Sequence, residues 1–510
     1  MLRLLSLFCL TLLLAALPAL ASEETPRVRI AWIESPPSID GKLDDPVWQT
    51  PAQIDKLTQV TPVQGAEPTQ KTEVWIATDG VQLYIAVRCH DTNPELIVAN
   101  RMLRDDFYFF DDRVTFAFDT FHDRRNGYVF EINSLGGRHD LLIEGSNFEG
   151  SWDAIWEAKT SVDAGGWSLE VAIPFQSLNF DPDSDTWGFN FSRGIRRNNE
   201  DMRWSDPYPQ RFVSHLGKAG VLSGMRGAKQ GIGLEIVPSL TLGHVKVKDN
   251  VESSSKTRID PSGDIFYKLL PSLTASVTAN TSFGETEVDE RRVNLTRFDL
   301  FFPEKRKFFL QDALIFDFAE LSEAGNRASV INGKPFFSRR IGVNGADPVD
   351  ILVGGKVTGR VDRFKIGVLH SLVDSSDGVG MQNLTVGRVA MNVMGESSIG
   401  VIATHGDPDG EVNNTVVGTD FIYRNTDFRD GNTLRGNAWF QRSFTQGSGS
   451  RDQKDADQKD ANQNAANGNA YGWTLKYPND IVNWKLGFRG IEENFNPELG
   501  FVNRKGIRQY

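Results

Sequence analysis

Four acids crowd one short run of the chain: Asp105, Asp106, Asp111 and Asp112. Hard oxygen ligands this close together suit calcium, and Asp105, Asp111 and Asp112 are the candidate ligands. Their spacing is not that of an EF-hand loop. The competing reading is a solvated loop whose acids pair with Arg101, Arg104 and Arg113. Acids are plentiful elsewhere too, and a glycosidase needs two carboxylates at a set separation, which a sequence does not display. No zinc signature, nucleophile elbow or phosphate loop is present. The histidines at His90, His122, His139 and His215 are scattered and form no ligand-spaced pair.

A second chemical concentration runs from Val293 to Ile341, through VNLTRFDLFFPEKRKFFLQDALIF to GKPFFSRRIG. Phe301, Phe302, Phe308 and Phe309 flank Glu304, Lys305, Arg306 and Lys307, and Arg339 and Arg340 follow Phe336 and Phe337. The block is too charged for a lipid-facing strand and too aromatic for a free loop. One reading is a folded loop whose rings pack together while its cations meet acids. The other is a gate or plug inside a barrel, with Phe302, Glu304, Lys305, Arg306, Phe308, Phe309, Arg339 and Arg340 facing the lumen. The two are compatible.

The chain has 510 residues, enough for two or three domains. Residues 1–21 read as a secretory signal: Arg3, an apolar run from Leu4 to Leu17, and Ala19-Leu20-Ala21 before Ser22. Cys9 falls in that run, which leaves Cys89 alone in the mature chain and excludes an intramolecular disulfide. A net charge of −12 excludes a nucleic-acid partner, which calls for a basic face. No later run reaches the length of a spanning helix. Exported, the chain is therefore soluble or crosses a membrane as strands.

Residues 27–225 alternate in short runs. TEVWIATDG and VQLYIAVRCHD form an Asp-Gly hairpin, followed by RVTFAFDT, GYVFEIN, GWSLEVAIPF and TWGFNFSRGIRR. This spacing predicts an antiparallel β-sandwich, jelly-roll-like. Residues 231–510 alternate over longer runs. Ile232, Leu234 and Ile236 oppose Gly233 and Glu235, while Tyr471, Trp473, Leu475 and Tyr477 oppose Lys476. Strands with one apolar and one wet face predict an outer-membrane-type antiparallel β-barrel. Pro238 and Pro271 stand against this, because proline removes a ladder donor. The segment 443–470 holds DQKDA twice and reads as a polar extracellular loop. The chain is thus expected to be all-β, a sandwich followed by a barrel.

IDGKLDDPVW, the TEVWIATDG–LYIAVRCHD hairpin, DDRVTFAFDT, WDAIW and GWSLEVAIPF together resemble the carbohydrate-binding module of family nine. VNLTRFDLFFPEKRKFFL, FFSRRIG and NFNPELGFVNR resemble a set of Gram-negative envelope proteins. That set joins such a module to a C-terminal region regarded as an outer-membrane barrel. The resemblance implies a poly- or oligosaccharide partner, outer-membrane lipid around the barrel, and a periplasmic sandwich. The family usually continues beyond NPELGFVNR, which leaves three readings open: the strands close within this chain, another chain completes them, or the region is not a working barrel. The oligomeric state is left open.

Sugar rings stack their apolar faces on aromatics and offer hydroxyls to polar partners. On that implication Trp152, Asp153 and Trp156, with Arg138, Asp140 and Glu144 from GGRHDLLIEG, are the candidate carbohydrate site. The competing reading puts both tryptophans in the core. Two other functions stay open: a hydrolase acting on O-glycosyl bonds, with Asp140, Glu144 or Asp153 catalytic, and a structural envelope protein without a small ligand.

Overall fold

The computed structural model describes residues 25–106, 108–145, 147–209, 212–248, 253–286, 293, 300–321, 332–344, 347–375, 379–429, 431–447, 466–479 and 481–510. The segment 1–21, expected to be a signal, and the centre of the expected polar loop lie outside these residues.

Short alternating runs become fourteen strands. They are β1 (Arg27–Arg29), β2 (Ala31–Trp32), β3 (Thr58–Thr61), β4 (Thr72–Thr78), β5 (Gln82–His90), β6 (Arg113–Asp119), β7 (Asn126–Asn133), β8 (Arg138–Glu144), β9 (Asn147–Glu149), β10 (Glu157–Asp163), β11 (Gly166–Pro174), β12 (Thr186–Ile195), β13 (Glu200–Arg203) and β14 (Gly220–Ser223). One sheet runs β1-β14-β12-β6-β7-β8-β9, with β13 and β3 added beside β12; the other runs β10-β11-β5-β4-β2. Pairing is antiparallel except for β1 with β14 and β2 with β4, which are parallel. The faces that the alternation marks as apolar meet in one core: Val74, Ile85 and Leu169 from one sheet, Phe116, Phe130 and Phe191 from the other. Cys89 is fully buried there, and burial pushes its thiol up to about 11, so it is an inert core residue.

The opening IDGKLDDPVW segment covers the outer face of the second sheet. Glu170, fully buried on β11, accepts the Asp40 and Gly41 amides at 2.9 and 2.8 Å and Trp48 Nε1 at 2.7 Å. Gly41 has φ +88°, and a Cβ there would lie 2.7 Å from the Thr160 backbone, so only glycine fits. Glu170→Ala leaves three donors without their acceptor. It should lower unfolding free energy by about 3 kcal/mol, read from urea melts of the whole chain.

The second half contains β15 (Leu234–Lys248), β16 (Ser253–Leu270), β17 (Leu273–Thr281), a small hairpin of β18 (Val343–Asn344) and β19 (Asp347–Pro348), then β20 (Ile351–Val361), β21 (Phe364–Val373), β22 (Gln382–Val393), β23 (Ser397–His405), β24 (Val412–Phe428), β25 (Asn432–Gly447), β26 (Ala466–Pro478), β27 (Asn483–Ile491) and β28 (Ile507–Gln509). Apart from the hairpin, these form one antiparallel meander of 12 strands in chain order, the wall of the barrel. Pro238 lies in β15, the first strand of the path, and Pro271 falls in the β16–β17 turn, so neither removes an interior ladder bond. The outward row is apolar and exposed, including Leu240, Ile265, Val277, Val368, Val401 and Phe440. Val357 stands opposite Val368, and Val389 opposite Val401. A continuous apolar outer band is what a strand wall needs against lipid. Among the described residues no helix is long and apolar enough to cross a membrane.

Inside the wall runs the aromatic and basic block, in which α1 (Lys307–Leu310) is the one α-helical turn among the described residues. Phe308, Phe309, Phe316 and Phe318 pack with Leu369, Val386, Ile402 and Trp439 from the inner faces of β21, β22, β23 and β25. Lys307 pairs with Glu235 on β15, and Lys356 on β20 donates to the carbonyls of Phe308 and Gln311. The Ala319 amide donates to Asp420 on β24 at 2.9 Å, and Gln441 on β25 donates to the Gly333 carbonyl at 2.7 Å. One segment that touches so many successive strands forces the sheet to curl around it.

Candidate functional site

The loop from Asn100 to Asp112 folds over the start of β8 and over the segment 152–156. Two of its acids hold the loop's own shape. Asp111 accepts the Asn100 and Arg101 amides and Asn133 Nδ2; Asp112 accepts the Val98 and Arg196 amides. Both are buried. Asp111 and Asp112 therefore serve backbone donors and do not share a cation with Asp105.

Asp105 joins Asp140 and Asp153 instead. The three carboxylates each place an oxygen within 4.8 Å of the others. Arg104 sits among them: Nε is 2.7 Å from Asp153 and 3.5 Å from Asp105, and Nη2 is 2.9 Å from Asp140. A guanidinium already supplies the counter-charge, and the donor set does not fit a calcium site built on Asp105, Asp111 and Asp112. Asp106 pairs with Arg101 at 2.5 Å.

Asp140 is fully buried at the centre of this network. It accepts the Ala154 amide at 2.5 Å and Trp156 Nε1 at 3.1 Å besides Arg104. Burial pushes its carboxyl up to about 6 against those donors. Burial also pushes Asp105 up to about 7, helped by the charges of Asp153 and Asp140 and opposed by Arg104. Asp105 stands at φ +61° on the loop. A carboxyl raised above its unfolded value contributes stability that is complete below about pH 4 and is lost as pH rises through 7. Asp105→Asn should therefore change the melting temperature little at pH 4 and raise it at pH 8, as read by thermal melts at the two values.

The structure thus gathers Arg138, Asp140, Asp153 and Trp156. Arg138 Nη1 donates to the Trp156 carbonyl at 2.7 Å, and its guanidinium lies 5.5 Å from the Trp156 ring. The expected stacking surface is not there. Trp152 and Trp156 are in the core, 5.2 Å from Tyr128 and 5.0 Å from Phe130 respectively, ring to ring. They follow β9 in an irregular stretch rather than sharing a strand face. Glu144 is at the far end of β8, where it pairs with Lys365 of β21. The exposed rings are Phe109 and Phe110, 51% and 54% accessible, on the same loop as Arg104 and Asp105. They meet edge to face at 5.4 Å, with Arg113 over Phe109 and Arg196 over Phe110. Their flanking position in DDFYFFDD was the signal available in the sequence.

In the interior block, Arg306 is the hub. Its Nε and Nη2 reach Glu304 at 2.9 and 2.8 Å, and Nη1 and Nη2 donate to the Ile341 and Ser338 carbonyls. Phe283 and Phe309 sandwich it at 4.0 and 4.2 Å. Both charges are buried. Lys305 donates its amide to Glu304. Arg339 donates to the Pro303 carbonyl at 2.7 Å and stands over Phe302, while Arg340 pairs with Asp409 at 2.8 Å. Phe301, Phe337 and Phe501 form one ring cluster, which joins FFPEKRKFF, FFSRRIG and NFNPELGFVNR in space.

The sandwich docks on one end of the wall. Arg360 and Lys365, directly opposed on β20 and β21, receive a carboxylate each, from Asp123 and Glu144 of the sandwich. Lys268 of β16 donates to Asn179 Oδ1 at 2.8 Å, and Asn147 donates to Asp317 at 2.6 Å.

Residues 39–213 match the family described as carbohydrate family 9 binding domain-like. Among solved structures, the chain is similar to a carbohydrate binding module family 9 from Caldicellulosiruptor kristjanssonii. The cellotriose complex is 16% identical, with TM-score 0.29, covering 39% of this chain and 92% of its own. The glucose complex is 17% identical, with TM-score 0.28, covering 39% and 94%. It is also similar to the outer membrane channel DcaP of Acinetobacter baumannii, 10% identical, with TM-score 0.22, covering 74% and 90%. No curated protein matches.

Proposed function

We propose that this chain is a carbohydrate-binding outer-membrane β-barrel protein that captures a glycan at the Gram-negative envelope. The match of residues 39–213 to a carbohydrate family 9 binding domain-like family carries the reading. The sandwich precedes the first wall strand and lies on the periplasmic side. The wall, with its apolar outer band, is the anchor and the path, and the Phe301 to Arg340 block is the gate. Phe109 and Phe110 offer ring faces to a pyranose, and Arg104 and Asp105 on the same loop, with Asp153 paired to Arg104, offer hydroxyl partners.

The test is a glycan array probed with the whole chain in detergent, with and without calcium. Saturable binding is expected, weakened about tenfold in Phe109→Ala/Phe110→Ala, the loss of roughly one stacked ring pair. Trp152→Ala should instead cost about 3–5 kcal/mol of stability, the price of a large core truncation. A folded chain that binds no glycan sinks the proposal. Binding abolished by calcium chelation moves the site away from the Arg104 cluster.

One observation favours a second reading, a retaining glycoside hydrolase. Asp105 and Asp153 carry oxygens within 4.8 Å of each other, near the roughly 5–5.5 Å of a retaining pair, and Asp105 is raised to about 7 as a general acid would be. Asp140 is fully buried and Glu144 pairs with Lys365, so neither is the partner. Release of reducing ends by the whole chain, lost in Asp105→Asn, separates this from binding alone.

A further inference from the structure

Where the sandwich meets the wall, a cavity of about 610 Å³ opens between them, within the roughly 300–1,000 Å³ of ligand pockets. The sandwich lines it with Gln64, just after β3, and with Phe212 and His215, between β13 and β14. The wall lines it with Asn432 and Thr433 at the start of β25 and Asn479 in the β26–β27 turn. The two halves touch beside the cavity. Lys218 of the sandwich pairs with Asp427 at the end of β24 at 2.8 Å, and a Cβ on Gly217 would lie 2.6 Å from Thr426 Oγ1. The cavity is therefore bounded by a close contact rather than by a gap between separate bodies.

Both sides of the cavity are held in shape by their own hydrogen bonds. On the sandwich side, the Phe212 amide donates to His215 Nδ1 at 2.7 Å, and the two rings stack at 5.9 Å. The imidazole covers one face of Phe212, yet the residue is 66% exposed, so the other face is open. On the wall side, Asn479 accepts the Thr433 amide at 2.8 Å and donates to the Thr433 carbonyl at 2.9 Å, which ties the β26–β27 turn to β25. Asn432 spends its Nδ2 on the Arg429 carbonyl at 2.9 Å and keeps its side-chain oxygen as an acceptor. The Thr433 hydroxyl and the Gln64 amide complete the neutral polar lining. No carboxylate is among the described residues that line the cavity. Its two arginines are engaged: Arg424 with Glu320 and the Gly145 carbonyl, and Arg435 as well.

We infer that this junctional cavity is a second sugar site, which takes a short neutral oligosaccharide with one pyranose face on Phe212 and hydroxyls on Asn432, Thr433 and Gln64. A pyranose has an apolar C–H face and a hydroxyl edge, and the cavity offers an open ring from one half and amide and hydroxyl groups from the other. An amide or a hydroxyl serves both as donor and as acceptor, as a sugar hydroxyl requires, whereas a charged ligand calls for an uncommitted counter-charge. A lining already fixed by its own bonds loses little freedom when the ligand enters. The inference rests on the carbohydrate reading proposed above. Its site is separate from Phe109 and Phe110, which stand on the loop before β6.

The experiment is calorimetric titration of the whole chain, in an amine-oxide detergent whose head is not a sugar, with cellotriose, maltotriose, chitotriose and trigalacturonate. At least one of the three neutral trisaccharides should bind at two sites per chain. Phe212→Ala should weaken one site about tenfold, the loss of one stacked ring, and Thr433→Val should weaken the same site about fivefold, the loss of one neutral hydrogen bond. Phe212 is exposed and Thr433 keeps its backbone bonds to Asn479, so both variants should melt at the temperature of the unaltered chain. The other site should respond only to Phe109→Ala/Phe110→Ala. A single site, weakened by that double variant and untouched by Phe212→Ala, overturns the inference and leaves the reading above. A single site weakened by Phe212→Ala and untouched by the double variant removes the Phe109–Phe110 reading and leaves this one standing. Trigalacturonate bound more tightly than every neutral trisaccharide, and weakened by Phe212→Ala, overturns the neutral assignment. A folded chain that binds none of the neutral trisaccharides overturns both.

Discussion

Glu304→Ala should cost about 3–5 kcal/mol of stability, because it leaves a buried arginine without its carboxylate. Arg306 has its Nε and Nη2 on Glu304 and a ring on either side, in a place that water does not reach. Its remaining bonds to the Ile341 and Ser338 carbonyls do not neutralise it. The expected loss is read from denaturant unfolding in micelles, followed by tryptophan fluorescence. On the gating role proposed for the block, vesicles carrying Glu304→Ala should admit small sugars faster than the unaltered chain. Glu304→Ala with Arg306→Met should recover much of the stability, since a buried pair replaced by apolar groups is often neutral. A loss below about 1 kcal/mol, the range of exposed pairs, would mean that solvent reaches this pair.

Asp123→Asn combined with Glu144→Gln is expected to loosen the sandwich from the wall. The change leaves Arg360 and Lys365 facing each other across β20 and β21 without the acids that now separate their charges. Like charges in opposition, with the buried Lys365 and the largely covered Arg360 left without carboxylates, together make this the second large effect, again about 3–5 kcal/mol. Limited proteolysis after Met225 should become faster while the wall stays resistant. Burial raises the carboxyls of both Glu144 and Asp123, but the nearby cations outweigh it: Lys365 and Arg125 for Glu144, Arg360 and Lys365 for Asp123. Both therefore lie below the ordinary range. A depressed carboxyl contributes stability that is present above its unfolded value and is lost as pH falls through its folded value. The junction should thus survive mild acid and part only below about pH 4. Parting at pH 6 would show that these pairs do not hold it.

Period-two alternation made both halves readable from the sequence, since it survives whatever the strands pack against. Phe116, Phe130 and Phe191 point to one core because their neighbours in sequence point away. The candidate site was less legible. Trp152 and Trp156 offered the right side chains for a sugar, but large apolar rings are drawn inward wherever space allows, and the loop folded them under. Asp105 was separated from Asp111 and Asp112 by the fold: those two were taken up by backbone amides, and Asp105 met Asp140 and Asp153 instead. The junctional cavity draws Gln64, Phe212, Asn432 and Asn479 from four separate segments, and adjacency in sequence carries no trace of it.

The interior block sits in the chain between β17 and β20, yet its partners extend from Glu235 on β15 to Gln441 on β25. A meander of neighbouring hairpins would otherwise assemble from local pairings, one strand after the next. Here the curvature of the late strands depends on a segment made long before them, so contacts distant in sequence must form before the wall closes in. Such contacts slow folding. The block then works like a mandrel: the order of assembly is core first, wrapping second.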